Sequence, residues 1–86
     1  MSFINRFDGN INVIGRLLKE YRLKKKLSYE NLSTKLELMG IIIHKQSIYD
    51  IEHNKRAVKD FELFGLAKAL NISVDDLLKD IRNKID

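Results

Sequence analysis

Eighty-six residues suffice for one small domain that closes a single hydrophobic core. The absence of cysteine excludes a disulfide framework and any thiolate metal site. The longest apolar run, Leu38 to Ile43, falls far short of the roughly 20 residues of a membrane span. Sixteen Lys and Arg against twelve Asp and Glu leave a net charge of +4, and the distribution says more than the total. Arg16, Lys19, Arg22, Lys24, Lys25 and Lys26 crowd the first third, and Lys45, Lys55, Arg56 and Lys59 the middle. Asp75, Asp76, Asp80 and Asp86 gather at the end. Such segregation suits a footprint on a polyanion, and no amphipathic helix offers the aromatic or leucine anchors a membrane surface would use. The opening MSFINRFDGN lacks the charged-then-apolar layout of a secretory signal, so a cytoplasmic protein is expected.

Proline is absent, and no repeat or low-complexity linker interrupts the chain. Ile14, Leu17, Leu18 and Tyr21 recur at i, i+3, i+4 and i+7, which predicts a first helix from about Ile11 to Lys25. The run Lys24 to Lys26 closes it and suits the negative end of the helix dipole. Ser28 stands as an N-cap, with Glu30 in the first turn of a second helix from about Tyr29 to Leu38 that turns Leu32 and Leu36 inward. Met39-Gly40 ends it, glycine supplying the backbone freedom of a turn. Ile41, Ile42 and Ile43 are β-branched and favour an extended connector. A third helix is expected over about Lys45 to His53, with Asn54 left-handed at its end. A fourth spans about Asp60 to Leu70, offering Phe61, Phe64, Ala67, Ala69 and Leu70 to the core before Asn71 stops it. Ser73 with Asp76 three residues later is a capping-box-like start for a fifth helix, whose stripe is Val74, Leu77, Leu78, Ile81 and Ile85. The expectation is an all-α, compact five-helix domain.

Within this order, the stretch His44 to Arg56, HKQSIYDIEHNKR, carries the most chemistry. At about 100° per residue, Lys45, Gln46, Tyr49, Asp50 and His53 fall in one arc of roughly 140°, with Ile48 and Ile51 on the far side. A short helix with one apolar edge and one long-armed hydrogen-bonding edge has the shape of a major-groove reader. Lys55 and Arg56 follow where phosphates would flank it. An ordinary amphipathic surface helix has the same periodicity, so the surrounding chain has to discriminate.

From about Val13 to Leu78 the succession of signals resembles the Cro/lambda-repressor-like, or XRE-type, helix-turn-helix family. Ile14-Gly15, Leu18 and Arg22 match in the first helix, and Leu27-Ser28 and Leu32 at the second. Ile48, Ile51 and Glu52 match the reading helix, Lys55-Arg56 the basic exit, and LAKALNISVDDLL (Leu66 to Leu78) the closing segment. The resemblance implies a single domain over residues 1–86. Its core is 13–78, with 1–12 an N-terminal extension and 79–86 an extension of the last helix.

It also implies that the second helix braces on the DNA backbone while the third enters the major groove. Lys45, Gln46, Ser47, Tyr49 and Asp50 become the base or groove contacts, Gln46 suiting adenine, Lys45 guanine and Asp50 the cytosine amino group. Tyr29, His53, Lys55 and Arg56 become the phosphate contacts, and Arg22 and Glu52 the structural ion pair between the first and third helices. Several positions depart from the family pattern. Tyr29 stands where the family opens its second helix with Gln, Ser33 replaces the customary Ala, and Asn54 replaces Gly. The path from Ser33 to Ile48 is about five residues longer than the compact motif, with LELMGIII lengthening the connection between the second and third helices.

Catalysis has little support: the chain has neither a cysteine nucleophile nor a glycine-rich phosphate loop, and no cofactor is implied. His44 and His53 lie nine apart, out of phase on a helix, so no metal site is expected of them. The expected function is sequence-specific binding of double-stranded DNA by a transcriptional regulator, a repressor. The alternative is a protein-interaction or antitoxin-like module whose main partner is another protein regulator. Ile81 and Ile85 extend the last stripe, and Phe3, Ile4 and Phe7 precede the first helix. Either set serves the small core or a homodimer, with Ile81 and Ile85 as the dimer surface.

Overall fold

A computed structural model describes residues 9–85; Phe3, Ile4 and Phe7 lie outside the described residues. It contains α1 (Gly15–Lys24), α2 (Tyr29–Glu37), α3 (Lys45–Glu52), α4 (Asp60–Leu70), α5 (Val74–Leu77) and α6 (Lys79–Ile85), with no strand among the described residues. Leu17, Leu18, Leu32, Leu36, Ile43, Ile48, Ile51, Leu66, Leu70 and Leu77 form the buried centre. The 3.6-residue periodicity of each amphipathic segment places these side chains inward. No helix among the described residues is long and apolar enough to cross a membrane.

The first helix starts later than its periodicity predicts, and the reason is local. The Asn12 carboxamide oxygen accepts from the N–H groups of Ile14 and Gly15 at 3.0 and 2.9 Å, satisfying donors that a longer helix would have to bond itself. At the other end, Lys26 takes a left-handed backbone (φ 58°), and the N–H of Leu27 reaches back to the Arg22 carbonyl. Gly40 (φ 82°), Asn54 (φ 59°) and Asn71 (φ 57°) close α2, α3 and α4 in the same way. The predicted caps are present: Ser28 Oγ accepts from Asn31 N, and Ser73 and Asp76 bond each other's backbones.

Two expectations need correction. The last stripe is not one helix, because at Leu78 the N–H is shared between the carbonyls of Val74 and Asp75, a tightening typical of helix ends. The helix resumes as α6, with Asp80 gripped by Arg16 through two 2.8 Å bonds. Ile81 is therefore only half-buried and Ile85 is exposed. Phe61 and Phe64 do not enter the core either; they are 54% and 61% exposed. The buried face of α4 is instead Glu62, Gly65, Leu66, Ala67, Ala69 and Leu70. Gly65 is part of it because Ile41 Cδ1 occupies the space its Cβ would need and Leu36 Cδ2 comes within 3.3 Å of that position.

The long connection between α2 and α3 is an ordered piece of this packing. Leu38, Met39 and Gly40 complete the turn after α2, and Ile41 N bonds the Leu36 carbonyl at 3.0 Å. Ile43 is buried, and its carbonyl accepts the Ser33 hydroxyl at 2.7 Å. Alanine at position 33 would leave that carbonyl without this partner, so Ser33 and the lengthened connection belong together.

Candidate nucleic-acid interface

Ile48, Ile51 and Glu52 of α3 are buried, which turns the opposite edge outward as helical geometry requires. Lys45 and Gln46 are exposed, Ser47 and Asp50 half-buried, Tyr49 and His53 exposed. The outer edge is lightly tied. Gln46 Nε2 donates to Asp50 Oδ1 at 3.1 Å, one turn apart. This leaves the Gln46 carbonyl oxygen, its second N–H and the other Asp50 oxygen open to a base edge. Further along, the His53 ring stacks on Tyr49 with centroids 3.9 Å apart, and His53 Nδ1 lies 2.8 Å from the Tyr49 carbonyl. Lys55 Nζ sits 5.7 Å from the Tyr49 ring centre.

Beneath this edge lies a firmer layer. Arg22 donates to Glu52 through Nε at 2.6 Å and Nη2 at 3.3 Å, while its Nη1 bonds the Leu27 carbonyl at 2.9 Å. Glu52 also accepts the Tyr29 hydroxyl at 2.8 Å. The hydrogen bond to Glu52 raises the pKa of Arg22. Burial, and then the same carboxylate, push the Tyr29 phenol up. The Arg22 guanidinium lies 4.0 Å from the Tyr29 ring centre, and Tyr29 meets Tyr49 edge-on at 5.9 Å. One continuous assembly thus joins α1, α2 and α3.

This geometry changes what two predicted phosphate contacts are seen to touch. The single hydroxyl proton of Tyr29 goes to Glu52, so its bond is a structural one across α2 and α3. Arg56 makes two bonds to Glu62, at 3.0 and 2.9 Å. Arg56, followed by the Lys59 N–H, holds the Glu62 carboxylate below its ordinary range. The cations at the exit therefore differ: Lys55 is exposed, whereas Arg56 secures the loop to α4.

Several residues that shape the interface escape a reading of pattern alone. Asn12 donates to the carbonyls of Ile51 and Arg56 at 3.0 and 2.8 Å. Asn54 Oδ1 accepts from the N–H groups of Ile11 and Asn12 at 2.7 and 3.1 Å. The segment before α1 is thereby strapped to the end of α3. Gly15 completes the junction, since a Cβ there would stand 2.7 Å from the Ile51 carbonyl oxygen and 2.9 Å from that of Glu52. Glu62 had a legible signal, an acid three residues after the N-cap Lys59. The Arg16–Asp80 pair had none, because 64 positions separate its members.

Between α1, the end of α3 and α6 lies a groove of about 610 Å³ lined in part by Arg16, Lys19, His53 and Ile81. Among the described residues, no group of His, Cys, Asp or Glu is arranged to hold a metal ion. No curated protein matches the chain at a meaningful level of similarity. The helix-turn-helix family HTH_3 does match, over residues 18–77, a range that contains α2, its lengthened connection and α3. By that match and by its all-helical architecture, the chain belongs to the helix-turn-helix family, as a DNA-binding domain of the Cro/lambda-repressor-like type.

Proposed function

We propose that this protein is a sequence-specific transcriptional repressor of the cytoplasm that reads the major groove of duplex DNA with α3 and acts as a homodimer. The observation that carries this reading is the pairing of an exposed, lightly tied polar edge with a buried base. The edge is Lys45, Gln46, Tyr49 and Asp50, and the base is Ile48, Ile51 and Glu52. A fixed helix presents its long polar side chains to base edges without a further cost of ordering the backbone. In this reading Gln46, oriented by Asp50, recognises adenine and Lys45 donates to guanine O6 and N7, while the free Asp50 oxygen accepts from a cytosine amino group. Ser47 lines the groove, and Lys55 and His53 meet phosphate. Arg56 approaches phosphate only with the part of its guanidinium that Glu62 does not hold.

Fluorescence titration against a randomised duplex library tests the reading. It predicts a preferred half-site, with affinity falling steeply as salt rises because phosphate contacts release counterions. Replacing Lys45 and Gln46 together by Ala should lower specific affinity by about one to two orders of magnitude. Unchanged binding by that double variant would remove α3 from the groove and leave a protein-partner role in its place.

A further inference from the structure

The His53 ring is held by two contacts of different kinds. Stacking on Tyr49, with centroids 3.9 Å apart, sets the plane of the imidazole, and Tyr49 is itself braced edge-on by Tyr29. A polar contact then sets which nitrogen turns inward. Nδ1 lies 2.8 Å from the Tyr49 carbonyl, which also accepts the backbone N–H of His53 at 3.1 Å. A carbonyl oxygen can only accept, so Nδ1 must carry a proton. In the neutral imidazole Nε2 is then a bare acceptor, and only the imidazolium has a second N–H to donate. His53 is exposed, and its Nε2 makes no hydrogen bond among the described residues.

We infer that His53 is a proton-dependent phosphate contact, which binds the DNA backbone through Nε2–H only as the imidazolium, so that duplex binding takes up a proton. The inference rests on the reading that His53 meets phosphate and adds the protonation state this contact requires. A phosphate oxygen accepts, and the neutral ring would set a lone pair against it. Phosphate therefore selects the charged ring, through a charge-assisted bond. No anion of the protein takes that place among the described residues. Arg16 and Lys19 of α1, Glu52 of α3, and Asp80 and Lys84 of α6 line the same groove as His53, and Lys55 lies near the Tyr49 ring. Both carboxylates are committed, Glu52 to Arg22 and Tyr29, and Asp80 to Arg16. Neither pairs with His53. Because the bound state holds the extra proton, affinity is highest at low pH. It falls as pH rises across the neutral range in which histidines titrate.

The test is fluorescence titration of the full chain with the duplex bound best in the randomised library, at about pH 6 and about pH 8 and equal ionic strength. Parent affinity should be about tenfold higher at the lower pH. The slope of log K against log salt should also be steeper there by about 0.9, because one more phosphate is neutralised. His53→Gln, which offers an uncharged amide, should flatten both differences. His53→Lys should keep the low-pH behaviour at both values, and His44→Gln, which changes the other histidine, should leave the differences in place. A second measurement needs no DNA: two-bond proton–nitrogen correlation on the free chain at the higher pH should place the ring proton of His53 on Nδ1. A proton on Nε2 would overturn the inference, and so would a pH difference that survives His53→Gln. Affinity that rises with pH would also overturn it, making Nε2 an acceptor for a base amino group. A parent chain that binds its preferred duplex equally at both values would sink the inference alone and leave groove reading by α3 standing. Absence of duplex binding at either pH would remove both.

Discussion

At its C-terminal end α3 is locked into the rest of the molecule by a polar network, whereas its N-terminal end is held by the burial of Ile43 and Ile48 and one bond from the Ser33 hydroxyl to the Ile43 carbonyl. The locked end gathers the Arg22–Glu52 pair, the Tyr29 hydroxyl, the Asn12 bonds to Ile51 and Arg56, and the Asn54 strap. The N-terminal end has His44 as an N-cap without a side-chain bond, and Lys45 and Gln46 stand in solvent. The division has a physical reason. Contacts that set its direction are buried, where an ion pair with further hydrogen bonds holds a geometry firmly. Side chains that meet a partner stay exposed, where exchanging them costs the fold little.

Breaking the locked end should have the largest effect. Glu52→Ala leaves the buried Arg22 guanidinium and the Tyr29 hydroxyl without their acceptor, and should lower unfolding free energy by roughly 3–5 kcal/mol in urea titration. A loss below about 1 kcal/mol would mean that α3 is positioned by apolar packing alone. Gly15→Ala comes next. Its methyl group collides with backbone carbonyls, which cannot swing aside as a side-chain end can, so about 1–3 kcal/mol should be lost.

A smaller, signed comparison involves two left-handed residues. Asn54→Gly relieves backbone strain but deletes the strap to Ile11 and Asn12, for a net loss of about 1 kcal/mol. Lys26→Gly, at an exposed site whose side chain bonds nothing among the described residues, should instead gain roughly 0.5–1 kcal/mol. Equal signs in thermal unfolding would show that the Asn54 side chain does not fasten the locked end.

Acid should loosen the same end in a defined window. Because Arg56 depresses the Glu62 pKa in the folded state, the contribution of this pair is complete above the unfolded glutamate value, about 4.3. It is lost as pH falls through the lower folded value. Replacing Glu62 by Gln should therefore flatten the stability profile on the acid side; a profile identical to the parent's would contradict the assignment. The smallest effect belongs to the N-terminal end of α3. Lys45→Ala/Gln46→Ala should change stability by no more than about 0.5 kcal/mol, so a large loss would show that these side chains support the fold.

How much of this was legible beforehand varies with the range of the interaction. Ser28, Ser73, Gly40 and Asn54 announce helix ends because caps and left-handed turns are settled within a few residues. The arc of α3 is legible for the same reason, since helical periodicity alone separates Ile48 and Ile51 from Lys45, Gln46, Tyr49 and Asp50. Phe61 and Phe64 lie outside the core although their type suits it, because hydrophobicity favours burial but does not say which face of α4 meets the bundle. That face was decided by Gly65, where Leu36 and Ile41 arrive from the connector. Ser33 stands out in the sequence only as a departure from the family's alanine; its partner, the Ile43 carbonyl ten positions away, is set by the tertiary structure.

The sequence by itself determined an all-helical chain, the position of its third helix and the outward chemistry of that helix, because those properties depend on neighbours three or four residues apart. Only the tertiary structure decided how the helix is held and which cations remain available. Arg16 finds Asp80, Arg22 is enclosed by Glu52 and Tyr29, Arg56 turns to Glu62, and Asn12 reaches the end of α3. Each of these partnerships depends on segments brought together by burial of the common core, and several candidates of equal charge and similar reach compete for every such bond. Periodicity ranks none of them; packing selects one.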